Sequence, residues 1–208
     1  MDTIDSRFTN YGAKVPRLFV AIRLPDPFRE AVRELQSGLP NARWLNANGL
    51  HLTLAFVGDV DDKAQHRIET GLRRVSAPGF PMQLCGLGRF PPRGAPRVLW
   101  VGIAPKAAIA ALAEAVRSTL RHIGLPMERR GFLPHITIAR FRQRPPGAEL
   151  KRYLAANAGF RTAPSDIECF HLFSSELHPT GARYTIEKTF PLTPVPRENT
   201  GPDRLNKV

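Results

Sequence analysis

Residues 50–58 read Leu-His-Leu-Thr-Leu-Ala-Phe-Val-Gly, and residues 134–140 read Pro-His-Ile-Thr-Ile-Ala-Arg. Alternation of aliphatic and polar residues predicts two β-strands, each with one apolar face. In the first strand, one face is expected to carry Leu50, Leu52, Leu54 and Phe56. The other face is expected to carry His51, Thr53, Ala55 and Val57. In the second strand, one face is expected to carry Ile136 and Ile138, and the other His135, Thr137 and Ala139. Each strand is therefore expected to present one His and one Thr opposite its buried face.

Two such strands facing each other would form a cleft that holds two imidazoles and two hydroxyls. An imidazole titrates near pH ~6.5, so one ring can accept a proton at neutral pH while the other donates one. Threonine hydroxyls can donate hydrogen bonds to phosphate oxygens. This set suits phosphoester chemistry without a metal or another cofactor. The predicted catalytic residues are His51, Thr53, His135 and Thr137.

The rest of the chain alternates helices with strands. Apolar periodicity and caps predict helices from Asp26, from Asp61 or Asp62, over 105–123 and over 148–156. Strands are predicted at 17–24, 50–58, 80–87, 97–104, 133–141, 167–174 and 183–190. This pattern favours an α+β fold with antiparallel sheets and helices on their outer faces. A strand, a helix and an H-x-T strand recur in each half, which indicates two lobes with pseudo-two-fold symmetry.

The domain limits follow from composition. Residues 1–16 and 194–208 are polar and without periodicity, so both ends are expected to be loose around a single bilobal domain at 17–193. The start lacks a signal-peptide pattern and no apolar run approaches a membrane span, so a cytoplasmic protein that does not contact a membrane is expected.

Cys85 and Cys169 stand far apart in apolar stretches, which favours buried free thiols.

The chain is strongly basic. Lys and Arg total 30 against 18 Asp and Glu, for a net charge of +12. A polyanionic partner and a merely solvated basic surface both fit this balance. Six arginines lie between residues 121 and 144, around the second motif, which favours a phosphate-binding role there. The basic segment 88–97 can follow an RNA backbone or form a solvated hairpin turn, and both interpretations stay open.

The other histidines and two aromatic residues have competing interpretations. His171 alternates with apolar residues and is expected to be structural, whereas His66, His122 and His178 are expected on the surface. A metal site built from His51, His135 and His171 is conceivable, but the chain has no i, i+4 His pair and no Cys cluster, so no metal is predicted. Phe19 and Phe56 could stack on a base or belong to the core.

These motifs resemble the two-histidine (HxTx) phosphoesterase superfamily, in particular the bacterial RNA 2′,3′-cyclic phosphodiesterases, also called 2′-5′ RNA ligases. The resemblance covers roughly residues 17–192 and rests on RLFVAI at 17–22, HLTLAFVG at 51–58, PRVLWVG at 96–102, PHITIAR at 134–140, LFSSEL at 172–177 and GARYTI at 181–186. It implies a bilobal α+β fold with the active site between two sheets. It also implies catalytic roles for both His/Thr pairs, with His51 as proton donor, His135 as proton acceptor and the 2′-phosphate as product.

The resemblance further implies that Arg140, five residues after His135, contacts the substrate phosphate. Strand alternation places Arg140 on the face opposite His135 unless the strand bulges, and gives Arg142 the matching face. Both arginines are therefore candidate substrate-binding residues, together with Phe19 and Phe56.

Three functions remain in view after these observations. The leading prediction is a metal-independent hydrolase that opens a 2′,3′-cyclic phosphate at an RNA end and acts as a monomer. The second is a ligase that forms a 2′-5′ bond between RNA ends, with the same residues and an RNA hydroxyl in place of water. The third is a non-catalytic basic RNA-binding module, against which the matched pairs of titratable rings argue.

Overall fold

The computed structural model describes residues 17–127, 131–178 and 181–194. The predicted loose ends, 1–16 and nearly all of 194–208, lie outside the described residues. The described strands are β1 (Arg17–Arg23), β2 (Ala42–Trp44), β3 (His51–Asp59), β4 (Phe80–Phe90), β5 (Val98–Ala104), β6 (Ile136–Phe141), β7 (Ser165–Ile167), β8 (Cys169–His178) and β9 (Gly181–Pro191). The α-helices are α1 (Asp26–Leu35), α2 (Asp62–Leu72), α3 (Lys106–His122) and α4 (Gly147–Ala156), and Ala47–Gly49 form a short 3-10 helix.

The strands form one curled sheet in the order β7-β4-β5-β6-β3-β1-β8-β9, with β2 paired to β6. Every pairing between these strands is antiparallel, which confirms the predicted α+β class. The two expected sheets are the two halves of this sheet. They are joined where Leu52 of β3 pairs with Ile136 of β6, so each half contributes one motif to the seam.

The helices pack on one face of the sheet and leave the other face for the motifs. Buried residues of all four helices join Leu52, Leu54, Ile136 and Ile138 in one large apolar core. The predicted cap holds for α2, because the Asp61 Oδ1 accepts a hydrogen bond from the Ala64 N–H at 2.7 Å. Gly124, at φ 88°, lies just beyond the end of α3.

A second, smaller apolar cluster lies apart from the main core. It consists of Phe19, Ala21 and Phe173, with Tyr184 packed against it. Phe19 and Phe173 stack with their ring centroids 5.1 Å apart. Because these residues alternate with main-core residues along β1 and β8, they lie on the opposite face of the sheet, which is the face of the motifs.

Two smaller predictions have separate outcomes. Cys85 and Cys169 are free thiols as expected, although both are half-buried rather than fully buried. Across the part of the chain that the structure describes, no helix is both long and apolar enough to cross a bilayer.

Candidate active site

The Leu52–Ile136 pair brings the two motifs together. Both side chains have no exposed surface and belong to the main core, so the neighbouring His and Thr residues face the other way. In an antiparallel register, the residue before one partner lies opposite the residue after the other. His51 is therefore beside Thr137, and Thr53 is beside His135. We call the concave face that carries these four residues the cleft face.

Both histidines are held by the same local hydrogen bond. The Nδ1 of His51 lies 2.9 Å from the carbonyl oxygen of Gly49, and the Nδ1 of His135 lies 2.8 Å from that of Leu133. A carbonyl oxygen only accepts, so Nδ1 must carry the proton in each ring. Each Nε2 is then the atom that can gain or lose a proton toward a substrate. No hydrogen bond to another described residue occupies the hydroxyl of Thr53 or Thr137.

A β-bulge interrupts each motif strand at the same place. In β3, Thr53 pairs with Ala21 and Ala55 with Val20, so Leu54 is an extra residue. In β6, Thr137 pairs with Trp100 and Ala139 with Leu99, so Ile138 is the extra one. An extra residue reverses the alternation of all later side chains.

The bulges correct the alternation predicted for residues after each Thr. Ala55 and Ala139 were expected beside the histidines, but both are buried in the main core. Phe56 was expected on the core face and is 67 % exposed. Arg140 lies on the cleft face, where alternation alone had placed Arg142 instead. Phe56 and Arg140 are each five residues after a motif histidine, so they are structural equivalents.

The carbonyl group of each extra residue has a hydrogen-bond partner. The Nε of Arg117, from α3, donates to the carbonyl oxygen of Leu54 at 2.9 Å. The backbone N–H of Leu45, just after β2, donates to the carbonyl oxygen of Ile138 at 2.9 Å. Arg117 also lies over the ring of Phe132, 4.6 Å from its centroid. It therefore connects the first bulge with the segment that leads into the second motif.

Aromatic rings surround each histidine. The His51 ring is 4.8 Å from Phe19 and 5.0 Å from Tyr184, the latter edge-on. The His135 ring meets Phe90 edge-on at 4.9 Å and lies 6.4 Å from Trp100. These contacts limit the rotation of both imidazoles, and the carbonyl bonds at Nδ1 leave Nε2 as the ring nitrogen that is available to a ligand.

Trp100 can lie on the cleft face only because residue 88 is glycine. A Cβ on Gly88 would stand 2.1 Å from the nearest atom of the indole. The indole Nε1 is buried and has no hydrogen-bond partner within the described residues. The indole therefore meets Phe90 and His135 through ring contacts rather than through a hydrogen bond.

The two motif histidines have different environments. Burial lowers the pKa of His51 to about 4, the bond to Gly49 opposes this shift, and the electrostatic influence of Arg140 and of His135 lowers the pKa further. The chain by itself therefore keeps His51 neutral at neutral pH. This influence of Arg140 indicates that its positive charge lies close to the His51 ring.

Two of the remaining histidines lie on the surface as predicted, and one differs from its prediction in the face that it occupies. His66 and His122 are exposed, and the side chain of His178 lies outside the described residues. His171 is buried as expected, but on the cleft face, where its Nδ1 is 3.0 Å from the Thr189 hydroxyl. In the described ranges, no group of three or more His, Cys, Asp or Glu is placed to hold a metal ion.

Sequence reasoning missed several residues that line the site. Tyr184, Phe90 and Trp100 contact the histidines, and Arg43 lies opposite Arg140 across the β2–β6 pairing. Tyr184 and Trp100 stand in two of the segments that carry the family resemblance, and this was the available signal. Arg142 follows the last residue of β6 and is exposed.

A curled antiparallel sheet with two equivalent His/Thr pairs on one face defines a two-histidine phosphoesterase architecture. The family model of the 2′-5′ RNA ligase superfamily matches residues 24–178, and the chain belongs to this superfamily.

Two relatives are named RNA 2′,3′-cyclic phosphodiesterase. The chain is 30 % identical to the one from Archaeoglobus fulgidus over 179 residues, which span 84 % of this chain and 99 % of the relative. It is 32 % identical to the one from Thermotoga maritima over 176 residues, which span 82 % and 92 % of the two chains.

Solved structures show the same fold. TT0787 of Thermus thermophilus superposes with a TM-score of 0.71 at 27 % identity, covering 84 % of this chain and 97 % of that one. Escherichia coli LigT complexed with 3′-AMP superposes with a TM-score of 0.68 at 30 % identity, covering 86 % of this chain and 99 % of that one.

Proposed function

We propose that this chain is an RNA 2′,3′-cyclic phosphodiesterase that hydrolyses the cyclic phosphate at an RNA end. The observation that carries the proposal is the pairing of two His/Thr sets across the seam, with the Nδ1 of each imidazole bonded to a carbonyl and each Nε2 left available for proton transfer. Relatives that bear this name match most of the chain.

In the proposed reaction, water attacks phosphorus in line with the departing ribose oxygen. One histidine takes a proton from the water at Nε2, and the other gives a proton to the leaving oxygen at Nε2. The new P–O bond to water replaces the broken P–O bond to ribose, which leaves a phosphomonoester. Thr53 and Thr137 donate hydrogen bonds to the non-bridging oxygens, and Arg140 balances their negative charge. No step requires a metal.

The two walls of the cleft suit different parts of a nucleotide. Phe56 is 67 % exposed beside the cluster of Phe19, Phe173 and Tyr184, so it offers a ring on which a base can stack. Phe19 is 2 % exposed, so it orients His51 rather than presenting a face to a base. The opposite wall carries Arg140, which suits phosphate. Arg142 remains the second candidate for phosphate contact.

The direction of ring opening depends on which histidine starts with a proton. The family resemblance assigns His51 as donor, His135 as acceptor and the 2′-phosphate as product. The lowered pKa of His51 means that the chain by itself does not hold that proton at neutral pH. For His51 to donate, the anionic cyclic phosphate must raise its pKa on binding, because an adjacent negative charge favours the imidazolium.

Turnover of the four nucleoside 2′,3′-cyclic phosphates by the purified chain tests the proposal. We expect conversion to nucleoside 2′-phosphates, identified by chromatography against both phosphate isomers. The variant that combines His51→Ala with His135→Ala is the control for contaminating nucleases. Absence of turnover on these nucleotides and on a cyclic-phosphate-ended oligoribonucleotide overturns the hydrolase assignment.

A 2′-5′ ligase activity is the second candidate, since the matching family model carries that description. An RNA 5′-hydroxyl end would then replace water as the nucleophile at the same phosphorus. Incubating a cyclic-phosphate-ended RNA with a 5′-hydroxyl RNA and separating the products by size distinguishes the two activities. We propose that either reaction takes place in the cytoplasm, on RNA ends and in a monomer.

A further inference from the structure

Arg43 lies on the cleft face directly opposite Arg140. It is the middle residue of β2, and the register pairs Ala42 with Phe141, Arg43 with Arg140 and Trp44 with Ala139. Ala42 and Trp44 pack against the main core, so the side chain between them belongs to the other face. Directly opposed residues in an antiparallel pair have their Cβ atoms about 5 Å apart on one face.

The short strand that carries Arg43 is anchored at several points. The N–H of Leu45 donates to the Ile138 carbonyl at 2.9 Å, and the side-chain amide of Gln36 donates to the Leu45 carbonyl at 2.6 Å. The Trp44 ring lies 6.1 Å from that of Tyr153. These contacts fix the backbone of Arg43 relative to β6, and so the position from which its side chain starts.

Two opposed arginines repel each other, and a guanidinium cannot lose its charge in a protein. Arg140 also has no hydrogen bond or ion pair with another described residue. A bound anion would relieve the repulsion, because its negative charge lies beside two positive ones and the planar guanidinium of Arg140 can hold a phosphate through two parallel hydrogen bonds. The pair therefore has the chemistry of a site for phosphate groups.

The position of the pair indicates more than one phosphate. Arg140 lies near enough to His51 for its charge to lower the pKa of that imidazole, so it stands beside the space proposed for the reacting phosphate. Arg43 lies across from Arg140, three residues along β6 from Thr137, which is roughly 10 Å of strand. The exposed Arg93 and Arg97 of the β4–β5 hairpin lie beyond that end of β6, where the Phe141 N–H donates to the Arg97 carbonyl.

We propose that Arg43 binds the phosphate on the 5′ side of the terminal nucleotide, so that the site selects ends of RNA strands over free mononucleotides. The inference rests on the proposed function, because it requires the cyclic phosphate to occupy the space between the two His/Thr pairs. The strand then leaves the catalytic centre past Arg140 and Arg43 toward the basic hairpin. Neither the family motifs nor the charge count assigned this role to Arg43.

The test compares two substrates in the same variant. Arg43→Gln should lower kcat/KM for a cyclic-phosphate-ended oligoribonucleotide roughly ten-fold more than for a nucleoside 2′,3′-cyclic phosphate, through KM. The KM for the oligonucleotide should also depend less on salt. The slope of log KM against log salt concentration should decrease by roughly 0.7, which is the contribution of one single-strand phosphate contact. Arg67→Gln, an exposed arginine on the outer helix α2, is the control and should change neither substrate.

Other variants and a binding measurement keep the test decisive. Arg43→Lys retains the charge and should retain the salt slope while losing part of the affinity. Equal losses on both substrates, or no loss on either, overturn the role of Arg43. If the unaltered chain hydrolyses neither substrate, the proposed function fails separately. Fluorescence anisotropy with a labelled oligoribonucleotide that ends in a 2′-phosphate then decides: roughly ten-fold weaker binding by Arg43→Gln supports the phosphate contact, and unchanged binding overturns it.

Discussion

Leu52 and Ile136 are the point at which the two halves of the sheet pair, and this contact determines which motif residues meet. Because the register is antiparallel, each histidine lies beside the threonine of the other half: His51 beside Thr137, and His135 beside Thr53. A phosphate bound at the proposed site would therefore be contacted by both halves at once. Neither half contains a complete site, which explains why a single H-x-T motif carries little information.

Removing either imidazole should abolish one proton transfer and leave the fold intact. We expect His51→Ala and His135→Ala each to lower kcat by roughly 10² to 10⁴ on a cyclic nucleotide. Thermal unfolding monitored by circular dichroism should remain cooperative in both variants. Near-normal turnover in either variant, or loss of the folded state in both, contradicts the two-histidine assignment.

Chelation should leave the proposed activity unchanged. The two imidazoles, two hydroxyls and Arg140 supply both proton transfers and the charge balance, so we expect full kcat after incubation with EDTA and buffer exchange. Turnover that disappears with EDTA and returns with zinc or manganese would replace this mechanism with a metal-assisted one.

The stability of the chain should decrease in mild acid because of His51. Its pKa falls from the ordinary 6.5 to about 4 on folding, so the unfolded chain takes up the proton first as the pH decreases. The contribution of His51 to the free energy of unfolding is on the order of 3 kcal/mol. It is fully present above pH ~6.5 and is lost as the pH decreases toward ~4.

Urea unfolding at pH ~7.5 and pH ~4.5 measures this effect. The buried His171 also has a lowered pKa and shares the direction of the effect, so the His51→Gln variant isolates the contribution of His51. We expect that variant to show a smaller pH difference than the unaltered chain. His66→Gln, at an exposed position, should leave the difference as it was. Identical pH differences for the two variants contradict the burial-induced shift.

Arg117 should support activity from outside the cleft. Its guanidinium bonds the Leu54 carbonyl, so Arg117→Ala leaves the bulge carbonyl without this partner and should lower the free energy of unfolding by about 1–3 kcal/mol. Because the bulge directs Phe56 to the cleft face, kcat/KM should fall as well. Arg121→Ala, one turn later on α3, removes only an exposed ion pair with Glu114 and should have little effect on either quantity. Equal effects of the two substitutions contradict the role of the bulge contact.

A good leaving group should reveal which histidine is the acid. A nitrophenyl phosphodiester releases an oxygen that is stable as an anion, so loss of the general acid matters less. If His51 donates, this substrate should partly rescue His51→Ala and should not rescue His135→Ala, as measured by kcat/KM relative to the unaltered chain. Rescue of His135→Ala alone exchanges the roles, as the low pKa of His51 in the chain by itself would permit.

The sequence predicted the motif strands, the α+β class and most helix bounds because hydrophobic periodicity carries that information directly. It did not predict the bulges, because register depends on the neighbouring strand. A signal was nevertheless present: Leu54-Ala55 and Ile138-Ala139 are consecutive apolar residues, and both pairs are buried. Two buried residues in succession cannot occur in a regularly alternating strand with one solvated face.

The phosphate-binding end of the cleft was less predictable. Strand β2 has three residues, too few to show a period, and its pairing with β6 depends on a contact almost a hundred residues away in the chain. Arg43 therefore looked like any other basic surface residue. Tyr184 reaches His51 from the far edge of the sheet, which only the curl of that sheet makes possible.

The equivalence of Phe56 and Arg140 has a stereochemical consequence for the proposed reaction. The backbone on the two sides of the proposed phosphate site is related by a pseudo-two-fold rotation, and this relation includes the bulges. Such a backbone alone would accept a ribose ring in either of two opposite orientations. Ring opening would then give a mixture of regioisomers. A phenyl ring at one of the equivalent positions and a cation at the other remove this degeneracy. Regioselectivity would therefore depend on two side chains that transfer no proton.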